Sequence, residues 1–88
     1  MPWFAKIESG IVEKPIFDRH VSAHKAYVRD LIDKGHQARS GYWRRRGGGM
    51  MIFQAESMEE AQAIVDRDPL VKNGCVEYEL YEWCVVVE

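Results

Sequence analysis

The chain has 88 residues, 47% of them hydrophobic and 30% charged, with a formal net charge of -2. That length fits one domain, the apolar share is enough for a core, and the charge excludes a general electrostatic attraction to nucleic acid or anionic lipid. No apolar run nears the ~20 residues of a membrane-spanning helix, and the N-terminus lacks the charged and apolar regions of a signal peptide, so a cytoplasmic protein is expected.

In chain order, PWFAKIES alternates Trp3, Ala5 and Ile7 against Phe4, Lys6 and Glu8 and predicts a strand. Gly10 and Pro15 punctuate a loop. FDRHVSAHKAYVRDLIDKG, Phe17 to Gly35, reads as an amphipathic helix with Asp18 as N-cap, running to about Lys34 and closed by Gly35. HQARSGYWRRR, then GGG, then MMIFQA predict two strands joined by a glycine-rich hairpin. SMEEAQAIVDRD predicts a second helix, capped by Ser57 with Glu60 completing a capping box, and Asp68-Pro69 ends it.

The last segment, CVEYELYEWCVVVE, predicts a strand whose apolar parity switches from Val76, Tyr78 and Leu80 to Tyr81, Trp83, Val85 and Val87. A bulge near Leu80 would explain the switch, as would a strand end that buries its second face elsewhere. The order βαββαβ is that of an α+β, ferredoxin-like sandwich, with a four-stranded antiparallel sheet and two helices on one face. One domain therefore spans residues 1–88. The other sheet face is left bare and apolar, which predicts a homodimer formed through the sheet, with Trp83 and Val85 near the interface. Cys75 and Cys84 fit no metal-binding or CxxC spacing, and on one strand they point to opposite faces, so both are expected to be reduced.

The chemistry-bearing signal lies on the first helix. At about 100° per residue from His24, Val28 falls near 40°, Val21 near 60°, Leu31 near 340° and His20 near 320°. The stripe that must face the sheet thus carries both histidines. An imidazole in that position needs a hydrogen-bond partner, and a satisfied core histidine is one way to supply it. Asp68 offers another. It closes the second helix on the same face of the sheet, and a His–Asp pair fixes a tautomer and suits general acid–base work. Asp66 could serve equally on sequence grounds.

The run AHKAYVRDLIDKG (Ala23 to Gly35), Ser40-Gly41, and SMEEAQAIVDRDPLVKNGC (Ser57 to Cys75) resemble the YciI-like (YCII-related) family over nearly the whole chain. His24, Gly35, Gly41, Asp68, Pro69 and Gly74 match its pattern. The resemblance implies a dimeric α+β barrel fold and an active site on the pair His24 and Asp68. It implies small-molecule chemistry but no established reaction; a His–Asp pair suits isomerase-, lyase- or hydrolase-type steps on a small organic substrate with no cofactor. Two positions depart from the pattern: Val21 stands where an arginine is frequent, and Tyr42 where proline usually follows Gly41. Arg19, His20 or the run Arg44–Arg46 could take over an arginine's role, so His20, Arg19, Gly41 and Tyr42 are the substrate-binding candidates.

Two readings of other classes compete with an enzyme: a noncatalytic ligand-binding or interaction module, and a metal-dependent site. His20 and His24 at i, i+4 could join Asp68 around a metal, but no HExxH accompanies them, and no metal site is expected. The RRRGGG segment has no P-loop continuation and reads as a solvated hairpin tip. Trp3, Trp43 and Trp83 fall on predicted strands, where core or dimer packing is their default role.

Overall fold

In the computed structural model, which describes residues 1–45 and 47–88, four strands make a single antiparallel sheet. They are β1 (Trp3–Gly10), β2 (Arg39–Tyr42), β3 (Gly48–Gln54) and β4 (Val76–Trp83), arranged β2-β3-β1-β4. β1 alternates as its sequence predicts, and β3 alternates as well. Phe4 lies opposite Phe53 and Lys6 opposite Met51, and all four are fully buried on one face of the sheet. The Phe4 and Phe53 rings stack with centroids 5.9 Å apart.

Helices α2 (Val21–Asp33) and α3 (Met58–Asp66) cover that face, contributing Val28, Leu31, Ala61, Ile64 and Val65 to the same core. The fold is the expected ferredoxin-like α+β sandwich. Tyr27 joins the two helices by donating its hydroxyl to the Ile64 carbonyl at 2.7 Å. Burial, the largest influence, pushes the Tyr27 phenol above its ordinary pKa, which keeps it a donor.

Two further short helices flank the long ones, α1 (Lys14–Asp18) and α4 (Pro69–Lys72). Both have a proline in the first turn, where its fixed φ favours helix and its missing N–H costs nothing. The early start at Pro15 corrects the expected role of Asp18. That residue ends α1, and its carboxylate accepts from Lys14 at 2.6 Å instead of capping α2. The N-cap of α2 is His20, with no side-chain cap bond.

At its other end α2 closes as predicted. Gly35 has φ 90°, and the His36 N–H reaches back to the Leu31 carbonyl at 3.0 Å, a left-handed cap that suits glycine. Ser57 caps α3, accepting from the Glu60 N–H at 3.1 Å. The Glu60 carboxylate reaches back to the N–H of Glu56, one residue before the cap, at 2.8 Å.

The glycine run is used differently from its predicted place at a hairpin tip. Gly48 and Gly49 belong to β3, where a Cβ would collide with the carbonyl oxygens of Glu8 and Gly41 respectively. They let β1 and β2 approach β3 closely at the end of the sheet that borders the site. In β4 the pairing with β1 runs unbroken from Val76 to Trp83, so there is no bulge at Leu80. The parity switch instead divides the strand's burial between faces. Val76, Tyr78 and Leu80 pack toward the helices, whereas Tyr81 and Trp83 lie half-exposed on the open face.

Candidate functional site

The site is assembled from four separate parts of the chain. His24 comes from the first turn of α2, and Asp68 from the junction where α3 ends and α4 begins. Lys6 and Glu8 come from the helix-facing side of β1, and Ser40 from the edge strand β2. Asp68 is fixed by its backbone before its side chain does anything. Its N–H closes α3 on the Val65 carbonyl at 3.1 Å, and the following proline keeps it extended, with ψ 125°.

The Asp68 carboxylate is fully buried and accepts three hydrogen bonds. Oδ1 takes one from the Leu70 N–H at 3.0 Å and another from His24 Nδ1 at 2.8 Å. Oδ2 takes the third from Lys6 Nζ at 2.7 Å. Lys6, fully buried as well, also reaches Glu8 Oε1 at 2.7 Å. Burial alone pushes the Asp68 carboxyl upward. The hydrogen bond from His24 and the Lys6 ammonium outweigh it and hold the group below its ordinary value, so Asp68 is a carboxylate.

That charge assigns the histidine tautomer. A carboxylate only accepts, so His24 Nδ1 must carry the hydrogen of the 2.8 Å contact. In the neutral ring Nε2 is then an acceptor, and it receives the Ser40 hydroxyl at 3.0 Å. The imidazole is held by an anion at one nitrogen and offers a lone pair at the other, next to an exposed serine. The Nε2 side opens on a cleft of about 1000 Å³ bordered by α1, α2, β2 and the turn into β3.

Of the residues the sequence singles out, His24 and Asp68 are brought together. Asp66, the alternative, is exposed and accepts from Gln62 instead. Gly41 and Tyr42 border the cleft beside Ser40. Arg19 and His20 do not border it, because the break between α1 and α2 leaves Val21 as the first residue of that helix on the cleft. Arg44 and Arg45 border the cleft too, and Arg46 lies outside the described residues. Both ring nitrogens of His24 have partners, and no group of three or more potential metal ligands gathers among the described residues.

Sequence reasoning missed Lys6, Glu8 and Ser40 as members of the site. The signal for Lys6 was its parity: it sits between Phe4 and Glu8 on the face that Phe4 buries, where a lone lysine needs an anionic partner.

Residues 8–84 match the model of the YCII-related domain. The chain belongs to this family. The uncharacterized protein YjpA of Bacillus subtilis (strain 168) is 33% identical over 64 residues, covering 73% of this chain and 75% of that protein. Among solved structures, the fold resembles 5-chloro-2-hydroxyhydroquinone dehydrochlorinase (TftG) from Burkholderia phenoliruptrix AC1100, in complex with 2,5-dihydroxybenzoquinone. That likeness has a TM-score of 0.66 at 22% identity, over 92% of this chain and 93% of the other. A de novo designed protein, Ferredog-Diesel, matches with a TM-score of 0.64 at 14% identity, over 93% and 85%. At these identities the two structures speak for the fold alone.

Asp68→Asn should lower stability at about pH 7 by about 1.5–3 kcal/mol, because Lys6 and His24 lose a charged hydrogen-bond partner while Glu8 still compensates the Lys6 ammonium. The folded-state value of Asp68 is depressed, so its contribution is present above the ordinary carboxylate range and is lost as pH falls through the folded value. Urea unfolding of both proteins should therefore show a gap that is constant above the ordinary carboxylate range and narrows only as pH falls below about 4. A gap independent of pH would contradict the ionised assignment.

Proposed function

We propose that this YCII-family protein is a cofactor-independent enzyme acting on a small organic molecule, with His24 as its general acid and base and Asp68 as the residue that orients it. The observation that carries the reading is the 2.8 Å contact between His24 Nδ1 and a fully buried carboxylate, with Nε2 directed at the cleft. A structural imidazole would be satisfied on both sides by the interior. Here the second partner is the hydroxyl of an exposed edge-strand serine, which a substrate group can replace.

In this mechanism Nε2 removes a proton from a carbon next to a carbonyl, or from an attacking water, and returns it later in the reaction. Asp68 stays ionised throughout and stabilises the imidazolium that forms, while Lys6 holds Asp68 in place. Gly41 and Tyr42 contribute to the substrate-binding wall. Isomerase-, lyase- and hydrolase-type steps all fit this scheme. TftG, a protein of the same fold, is a dehydrochlorinase, so this fold can host an enzyme.

The acting unit in this reading is a homodimer formed through the open sheet face, in the cytoplasm. Ile7, Tyr81 and Trp83 expose 43%, 48% and 47% of their surface there, and Trp3 meets Trp83 edge to face at 6.4 Å. Exposed apolar and aromatic side chains on one sheet face suit a self-complementary contact. The unpaired cysteines Cys75 and Cys84 fit a reducing compartment.

Turnover should be sought with a panel of enolisable, lactone and halogenated hydroxy-aromatic compounds, without added metal or cofactor. His24→Gln should lower kcat by about 10²–10⁴-fold with little change in KM, as loss of a positioned acid–base group does. Ligand binding without turnover by the wild type would leave a binding module instead. Sedimentation at micromolar concentration should give twice the chain mass, and Trp83→Glu should give a folded monomer; a monomeric wild type would contradict the assembly.

A further inference from the structure

The sign of the charge around the cleft is opposite to that of the chain. The protein as a whole carries -2, yet the cleft is bordered by Lys14, Lys25, Arg29, Arg44 and Arg45 against Glu8 and Asp18. Lys14 and Asp18 neutralise each other at 2.6 Å, and Glu8 is taken up by buried Lys6 at 2.7 Å. Among the described residues, none of Lys25, Arg29, Arg44 and Arg45 is in ion-pair reach of a carboxylate. Four cations without a carboxylate in ion-pair reach among the described residues thus border one concavity on a mildly acidic protein. Scattered surface charges would be expected to mirror the overall balance.

Their placement follows from the helix. Lys25 and Arg29 are i, i+4, about 100° and 140° around α2 from His24, beside Val21 and Val28 at about 60° and 40°. Leu31 lies on the other side of His24 and faces the core. The cleft-facing side of α2 therefore runs from the histidine through an apolar band to a cationic edge. Phe17 and Leu70 extend the apolar wall, and Tyr42, 88% exposed, stands at its rim.

We infer that the cleft selects an organic carboxylic acid with an apolar, planar body. Its carboxylate is held by Lys25 and Arg29 with Arg44 and Arg45, and its reactive carbon lies toward His24 Nε2. The inference rests on the acid–base reading of this site and names its substrate class. An anionic head answers the four cations, and an apolar body answers Phe17, Val21, Val28 and Leu70. A free phosphate does not fit as well. The glycines nearest the cleft are built into β3, and Gly48 and Gly49 there lie too close to neighbouring carbonyls for a phosphate-binding loop.

The test is binding, read by amide chemical-shift changes in the wild-type protein with benzoate, benzyl alcohol and inorganic phosphate as probes. Benzoate should shift the amides of α2 around Lys25 and those of Gly41 and Tyr42, and its affinity should fall as salt is added. Benzyl alcohol and phosphate should each bind at least about tenfold more weakly, since each lacks one half of the complement. Lys25→Glu/Arg29→Glu should weaken benzoate by at least about tenfold, whereas charge reversal away from the cleft, Lys72→Glu, should leave its binding nearly unchanged. Lys25 and Arg29 are both exposed on α2, so the fold is expected to survive and far-UV circular dichroism verifies it.

Benzyl alcohol binding as tightly as benzoate would overturn the inference, as would phosphate doing so, or benzoate affinity unmoved by the charge reversal. The two readings fail separately. Benzoate binding with no carboxylic acid ever turned over would sink the acid–base reading alone. Turnover of neutral compounds with no benzoate binding would sink the substrate class alone.

Discussion

One buried carboxylate holds this structure in register. Asp68 ends α3, starts α4, anchors the central strand through Lys6 and fixes the imidazole of α2, all from a position with no solvent exposure. An isolated ion at that depth would be strongly unfavourable. Three donors, one of them a compensating ammonium, make it tolerable, and each comes from a different element. The same bonds that satisfy the charge set the tautomer and direction of His24. Structure and chemistry therefore cannot be varied independently here, and Glu8 extends the coupling by balancing the other side of Lys6.

The sandwich supplies two very different surfaces around that anchor. On the helix side, the core of Phe4, Met51, Phe53 and Val65 gives way at one end of the sheet to a polar chain running Glu8, Lys6, Asp68, His24, Ser40. No buried side-chain nitrogen or oxygen lacks a hydrogen-bond partner among the described residues, so the chain is a satisfied network and not a strained one. On the open side the sheet shows Ile7, Tyr81 and Trp83. Asp68 thus belongs to the interior, the cationic cleft to the solvent, and His24 is the point where they meet.

Much of this was legible from local pattern. The alternation in β1, the Ser57 cap, Gly35 beyond α2 and the order βαββαβ all depend on neighbours in sequence, and these elements stand where expected. His24 was legible because it breaks an apolar stripe, and Asp68 because Pro69 fixes its backbone. What escaped depends on register between distant strands. Lys6 meets Asp68 across 62 positions, and Ser40 meets His24 only because β2 pairs with β3 so that Ser40 lies opposite Met51. The extra turn at Pro15 and the place of Gly48 and Gly49 inside β3 were hidden for another reason. Proline and glycine mark both loops and the edges of regular elements, and only packing decides between them.

An ionised Asp68 dictates which nitrogen of neutral His24 carries the proton, and the ring nitrogens report it directly. In a long-range ¹H–¹⁵N correlation spectrum of the neutral ring, Nδ1 should carry the proton and Nε2 should show the shift of an unprotonated nitrogen. Asp68→Asn should relax that preference. A neutral His24 found as the Nε2–H tautomer in the wild type would contradict the arrangement from which the mechanism is drawn.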